Sequence, residues 1–186
     1  MDYNTELPLN TKDASTISTI FNETLAAIKH ISVNKAIKYL QALPLICHLH
    51  YNSLENRRIK NSNPKKLHPI IPQRGEIYNA YITEGVGSEL CSNHLVLIIQ
   101  NSKGNMYGEK VNVLPLEGDG SKINPNYQVR LTNADMETGH LDKDPSRIII
   151  TDITTIDKAR LNRRIGKIKP ECMAMVEKVL RQQLSL

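Results

Sequence analysis

The spacing of apolar residues changes period near residue 70, and that change constrains the fold more than any other feature of the chain. Ahead of it Ile17, Ile20, Phe21, Leu25 and Ile28 recur every three or four positions, the period of a helix with one apolar face. Behind it residues 75–82 (GEIYNAYI) alternate and carry the branched and aromatic side chains that suit a pleated surface. The join, residues 56–73, is polar and holds three prolines. It reads as a basic linker, and the chain divides into a helical extension with linker, 1–70, and a strand-rich domain, 71–186.

Residues 1–12 read as frayed. A first helix is expected over residues 13–31, capped by Asp13 or Ser15. A second begins after Ser32 or Asn34, with Ala36, Ile37, Leu40, Leu43, Ile46 and Cys47 as its stripe, and Pro44 should kink or end it. About 45 residues of helical hairpin bury too little to stand alone. Its apolar face therefore needs the barrel, a second copy or a partner to cover it.

After residue 74 the expected strands are 75–82, 95–100, 111–116 and 127–131, then a buried one at 147–151 and an edge strand at 163–168. A short helix is expected over 155–161, and Pro170 stands at the N1 position of a last helix faced by Met173, Val176, Val179, Leu180 and Leu184. Several short strands closed by one helix point to a small barrel. With no Trp and one Phe, its core must be aliphatic.

The net charge is +5 over 186 residues. The first 72 residues hold nine Lys/Arg against five Asp/Glu, and the remainder fifteen against fourteen. The excess lies in Arg57, Arg58, Lys60, Lys65 and Lys66, a tract that attracts phosphates or simply stays solvated. No apolar run reaches the roughly 20 residues of a membrane span, and the acidic N-terminus has no signal-peptide pattern. Cys47, Cys91 and Cys172 are scattered and odd in number, which fits free thiols in the cytoplasm. Cys47 and His50 lack further ligands nearby, so no metal is assigned. The acidic stretch Asp135, Glu137, Asp142 and Asp144 has no calcium-loop spacing and reads as a solvated loop.

Four motifs in order resemble the MazF/PemK (Kid-like) family of toxin–antitoxin endoribonucleases. Arg74-Gly75-Glu76-Ile77-Tyr78 is similar to the family's opening strand, and Val86-Gly87-Ser88-Glu89 to its VGSE loop. Leu97-Ile98-Ile99-Gln100-Asn101, followed by Gly104-Asn105, resembles the second strand and turn. Thr155-Ile156-Asp157-Lys158-Ala159-Arg160-Leu161 resembles the TIDKxRL motif. The resemblance implies an SH3-like small β-barrel, mainly β with a C-terminal helix, here behind an N-terminal helical hairpin. It also implies a homodimer held in check by a small antitoxin. The implied activity is sequence-specific cleavage of single-stranded RNA through a 2′,3′-cyclic phosphate, with no metal and no cofactor.

The resemblance breaks at two places. Where the family has a catalytic Arg followed by Pro, this chain has His94-Leu95, and the catalytic Thr falls on Glu117. Histidine is the residue type that exchanges protons near neutral pH, and a carboxylate beside it accepts a proton or orients the ring. His94 and Glu117 are thus the candidate catalytic pair. Arg74, Ser88, Asn101, Tyr78 and Arg160 are the candidate RNA contacts, by charge, hydrogen bonding or stacking. Two alternatives share the fold: a catalytically altered regulator that binds RNA or protein, and a gyrase-directed toxin.

Overall fold

A computed structural model describes residues 10–186; of residues 1–12, read as frayed, the first nine lie outside the described residues, and the last three form the cap and first turn of a helix instead. The chain falls into two compact units, Met1–His48 and Leu49–Leu186.

In the first unit, α1 (Thr11–Ile28) is capped by Asn10, whose side chain accepts from the Asp13 N–H at 2.9 Å. Asp13 and Ser15, the two expected caps, both lie inside the helix, Asp13 in the first turn, where its charge suits the positive helix end. Ile17, Ile20, Phe21 and Leu25 are exposed, and Ala36 is buried. Ser32 caps α2 (Val33–Ser62) through the Lys35 N–H.

The α2 helix runs on through Pro44, and through Arg57, Arg58 and Lys60 of the segment read as linker. Proline removes one backbone hydrogen bond, but 30 residues supply many others. Side chains of its last turns fasten to the second unit, to which they themselves belong. Ser53 Oγ donates to Asp157 Oδ2 at 2.8 Å, Arg57 Nη2 to Glu109 Oε2 at 2.8 Å, and Lys60 Nζ lies 3.7 Å from Glu109 Oε1.

The second unit is built on one antiparallel sheet. Its strands are β1 (Glu76–Ile82), β2 (Ser92–Ile98), β3 (Lys110–Glu117), β4 (Gln128–Leu131), β5 (Met136–Gly139), β6 (Ser146–Ile149), β7 (Thr154–Asp157) and β8 (Leu161–Ile168). The order is β4-β6-β3-β2-β1-β8-β5, with β7 also on β3. The sheet curls into a half-barrel around an aliphatic core. One face packs Ile77, Leu97, Leu114, Leu116, Leu131 and Ile148 against Met173, Val176 and Val179 of α4 (Pro170–Leu184). The other face gathers Ala80, Val96, Ile98, Val111, Val113 and Ile156.

Pro115 sits in mid-sheet without damage. Residues 110–113 of β3 pair with β7 and residues 116–117 with β6, so the proline falls where one neighbour gives way to the next. Its missing N–H is not needed there.

Four expectations are corrected. The helix expected over 155–161 is the strand β7 followed by a 3₁₀ turn, because Thr154, Thr155 and Ile156 pair with β3 and Asp157 then caps the Ala159 N–H. The strand expected at an edge, β8, is central between β1 and β5. Its cations are held in place: Arg164 by Glu76 at 2.6 Å and Lys167 by Glu137 at 3.0 Å. The acidic stretch contains β5 and is no simple loop. Residues 102–107 form a short helix, α3 (Ser102–Tyr107), where only a turn was read.

Candidate active site

The β2–β3 register decides which side chains meet. Leu95 pairs with Leu116, and one further antiparallel step brings His94 opposite Glu117. His94 also pairs with Ala80 of β1, and Glu117 with Arg147 of β6, which in turn faces Arg130 of β4. Cross-strand partners share a face, with Cβ atoms about 5 Å apart. The sheet therefore carries a row of Ala80, His94, Glu117, Arg147 and Arg130. An apolar sheet acquires a line of ionisable groups at the ends of β2 and β3.

A cavity of about 390 Å³ opens at those strand ends. His94 and Glu117 both line it, with Asn79, Asn93, Lys143 and Ser146. The imidazole makes no hydrogen bond among the described residues, so it is available to a ligand. Glu117 is not its partner. Arg147 donates to Glu117 Oε2 from Nε at 2.8 Å and from Nη2 at 2.5 Å, and its Nη1 donates to the Lys122 carbonyl at 3.2 Å. The expected orientation of His94 by Glu117 is replaced by a guanidinium–carboxylate pair beside the imidazole.

The loop behind the cavity is pinned. Ser146 Oγ donates to the Lys143 carbonyl at 2.7 Å, and the Gly120 N–H donates to the Pro145 carbonyl at 2.9 Å. Gly120 has to be glycine: a Cβ there would stand 2.2 Å from the Ser146 carbonyl oxygen.

The five residues proposed as RNA contacts lie elsewhere, and four of them hold the fold. Arg74 Nη2 donates to Glu177 Oε1 at 2.8 Å and lines a separate cavity against α4. Tyr78 is half-buried and donates to Glu76 Oε2 at 3.1 Å; burial, with the neighbouring Glu76 charge, pushes its phenol up to about 12. Asn101 caps α3 by accepting from the Gly104 N–H at 2.8 Å. Arg160 Nη1 donates to the Tyr81 carbonyl at 3.0 Å. Ser88 is exposed on the 85–88 loop and lines a third cavity with Ile82, Asp152 and Ile153. Arg147 and Lys143 were not singled out from the sequence. Arg147 opens a strand whose apolar run, Ile148 to Ile150, masks it, and only the β3–β6 register exposes its role.

Lys158 of the TIDK motif is fully buried and donates to the Asn105 carbonyl at 2.5 Å. Burial pushes its ammonium down to about 8. His68 is buried beside it and is likewise pushed down by burial. Among the described residues, no group of three or more His, Cys, Asp or Glu side chains is arranged to hold a metal ion. No helix among them is long and apolar enough to cross a membrane.

A curled antiparallel sheet closed by a C-terminal helix, with a histidine, a glutamate and an arginine at the ends of its central strands, defines a small SH3-like half-barrel. The family model described as "PemK-like, MazF-like toxin of type II toxin-antitoxin system" matches residues 73–184, and the chain belongs to that family. It is 32% identical over 117 residues to endoribonuclease EndoA of Bacillus subtilis, a match spanning 63% of this chain and 97% of that protein. In fold it is similar to MazF (Form-I) from Deinococcus radiodurans, with a TM-score of 0.52 at 15% identity, over 62% of this chain and 98% of that one.

Proposed function

We propose that this chain is an endoribonuclease, the toxin of a type II toxin–antitoxin pair, and that it cleaves single-stranded RNA in the cavity lined by His94 and Glu117. The observation that carries this reading is the register that sets an unpartnered imidazole beside a guanidinium–carboxylate pair at the mouth of a barrel of this family.

The reaction needs proton transfer and charge neutralisation, and side chains supply both. The imidazole of His94 takes the proton from the ribose 2′-OH. The 2′-oxygen forms a bond to the adjacent phosphorus as the bond to the 5′-oxygen breaks. The 5′-oxygen leaves with a proton drawn from solvent, giving a 2′,3′-cyclic phosphate and a 5′-OH. No electron transfer is involved, and no metal is required by the balance. Glu117 serves by gripping Arg147, since Oε2 is already occupied by two N–H donors. Arg147 in turn cancels the charge of Glu117, so that no bare carboxylate faces the reacting phosphate. The same reading takes a small antitoxin as the partner, a homodimer as the assembly and the cytoplasm as the compartment, and family membership supports it.

The test is cleavage of a long single-stranded RNA by the purified full chain, with and without a chelator. The expected products end in cyclic phosphate and 5′-OH and are unaffected by the chelator. His94→Ala should lower the rate by about 10²- to 10⁴-fold, the usual contribution of a positioned acid–base group. RNA bound tightly but left intact by the wild-type chain would favour the altered-regulator reading instead. Full activity in His94→Ala would remove His94 from the chemistry.

A further inference from the structure

Lys143 lines the same cavity as His94, on the loop after β5. Its side chain lies directly over Gly118. A Cβ placed on Gly118 would stand 2.1 Å from Lys143 Cδ and 3.2 Å from both Cγ and Cε. Gly118 has no positive φ to demand glycine, so the backbone conformation does not explain its bareness. The groove it leaves fits the lysine stem. The backbone beneath is fixed, because the Lys143 carbonyl accepts from Ser146 Oγ and the neighbouring Pro145 carbonyl from the Gly120 N–H.

The ammonium, meanwhile, is uncommitted. Among the described residues the Lys143 ammonium makes no hydrogen bond and no ion pair, whereas Arg147 is already tied to Glu117 and to the Lys122 carbonyl. Asp142 is the opposing charge on the same wall, is exposed, and makes no ion pair with Lys143. A seated stem with a free cationic tip, beside an imidazole in an open cavity, is suited to a phosphate oxygen.

We infer that Lys143, laid in the groove over Gly118, holds an RNA phosphate in the His94 cleft. The inference rests on the ribonuclease reading and adds a substrate-binding residue to it. Position 94 brings an imidazole, and the loop after β5 brings an ammonium to the same cavity.

The experiment separates binding from cleavage. The probe is a random-sequence RNA oligonucleotide uniformly methylated at the 2′-oxygen, which cannot cyclise. Its affinity for the full chain is measured against salt concentration, alongside cleavage of unmodified RNA. Lys143→Gln should weaken binding several-fold and reduce the slope of log K against log salt by about 0.7, the value for one phosphate contact to a single strand. Lys143→Arg should restore most of both. Gly118→Ala should behave like Lys143→Gln with its lysine intact, because the new methyl evicts the stem. Thermal melting of each variant should match wild type. Lys143→Gln with unchanged affinity, slope and kcat/KM overturns the inference, as does wild-type chain that fails to bind the probe at low salt. If wild type binds the probe with the expected slope changes but leaves RNA uncut, the ribonuclease reading fails while the phosphate contact stands.

Discussion

Replacing Lys158 by methionine should flatten the pH dependence of stability between pH 7 and 9. The ammonium is fully buried and donates to one acceptor, the Asn105 carbonyl. Burial lowers it from 10.5 to about 8, with Lys60 adding to the shift and Asp157 opposing it. In this window the unfolded chain binds more protons than the folded one at this position, so stability rises with pH. Linkage between 10.5 and 8 gives a gain of about 1.3 kcal/mol on going from pH 7 to pH 9, out of about 3.4 kcal/mol for the whole titration. Cys172 works in the opposite sense. Burial raises its thiol from 9.0 to about 11, which costs about 0.4 kcal/mol over the same interval. That loss is common to both proteins and cancels in their difference. Urea unfolding of wild type and Lys158→Met at pH 7, 8 and 9 measures the effect. Wild type should gain about 1.3 kcal/mol relative to the variant, about three-quarters of it above pH 8. Parallel curves would mean that Nζ keeps its proton through pH 9, and the reasoning from burial would be wrong.

Two further perturbations test the polar framework. Glu76 is buried and accepts from Arg164 Nε at 2.6 Å, from the Gln73 N–H at 2.7 Å and from the Tyr78 hydroxyl. Glu76→Gln should cost about 2–4 kcal/mol in urea unfolding, because Arg164 loses its counter-charge and one acceptor becomes a donor. In the His94 cleft, Arg147→Ala should weaken RNA binding more than Glu117→Ala does, since it leaves a bare carboxylate where phosphate must sit. The double variant should bind better than Arg147→Ala alone, and strictly additive effects in this cycle would show that the pair does not act as a unit.

The elements that read well from sequence are those whose pattern is local. Alternation located β1, the proline at N1 located α4, and the aliphatic runs located β2, β3 and β6 to within a few residues. The elements that misread depend on distant partners. The β7 strand is strand because β3 lies alongside it, and its TIDK residues look helical until that pairing is known. The β5 strand exposes three of its four residues, so nothing in its pattern betrays it, and β8 supplies the ladder. The α2 helix continues past Pro44 since a helix already long loses little by one missing bond. The site divides the same way. Positions 94 and 117 were proposed from motif alignment and line one cavity, whereas Arg147 and Lys143 needed the β3–β6 register and the bare surface of Gly118.

A carboxylate at position 117 is at first sight the wrong group for a cleft that receives phosphate, because two like charges at close range repel even through water. The sheet resolves this by its own geometry. Residue 117 is the last on β3, and antiparallel pairing puts residue 147 of β6 directly across from it. An arginine there closes two N–H bonds onto the carboxylate, and the pair as a whole is neutral. With that charge cancelled, the sign of the cleft wall is set by the groups around the pair, and among the residues lining the cavity Lys143 is a cation with a free tip. In the proposed cleft, histidine at 94 and glutamate at 117 therefore work only together with the cations at 147 and 143. A glutamate placed at 117 in a barrel lacking a cation on the facing strand would leave the phosphate facing an unpaired negative charge.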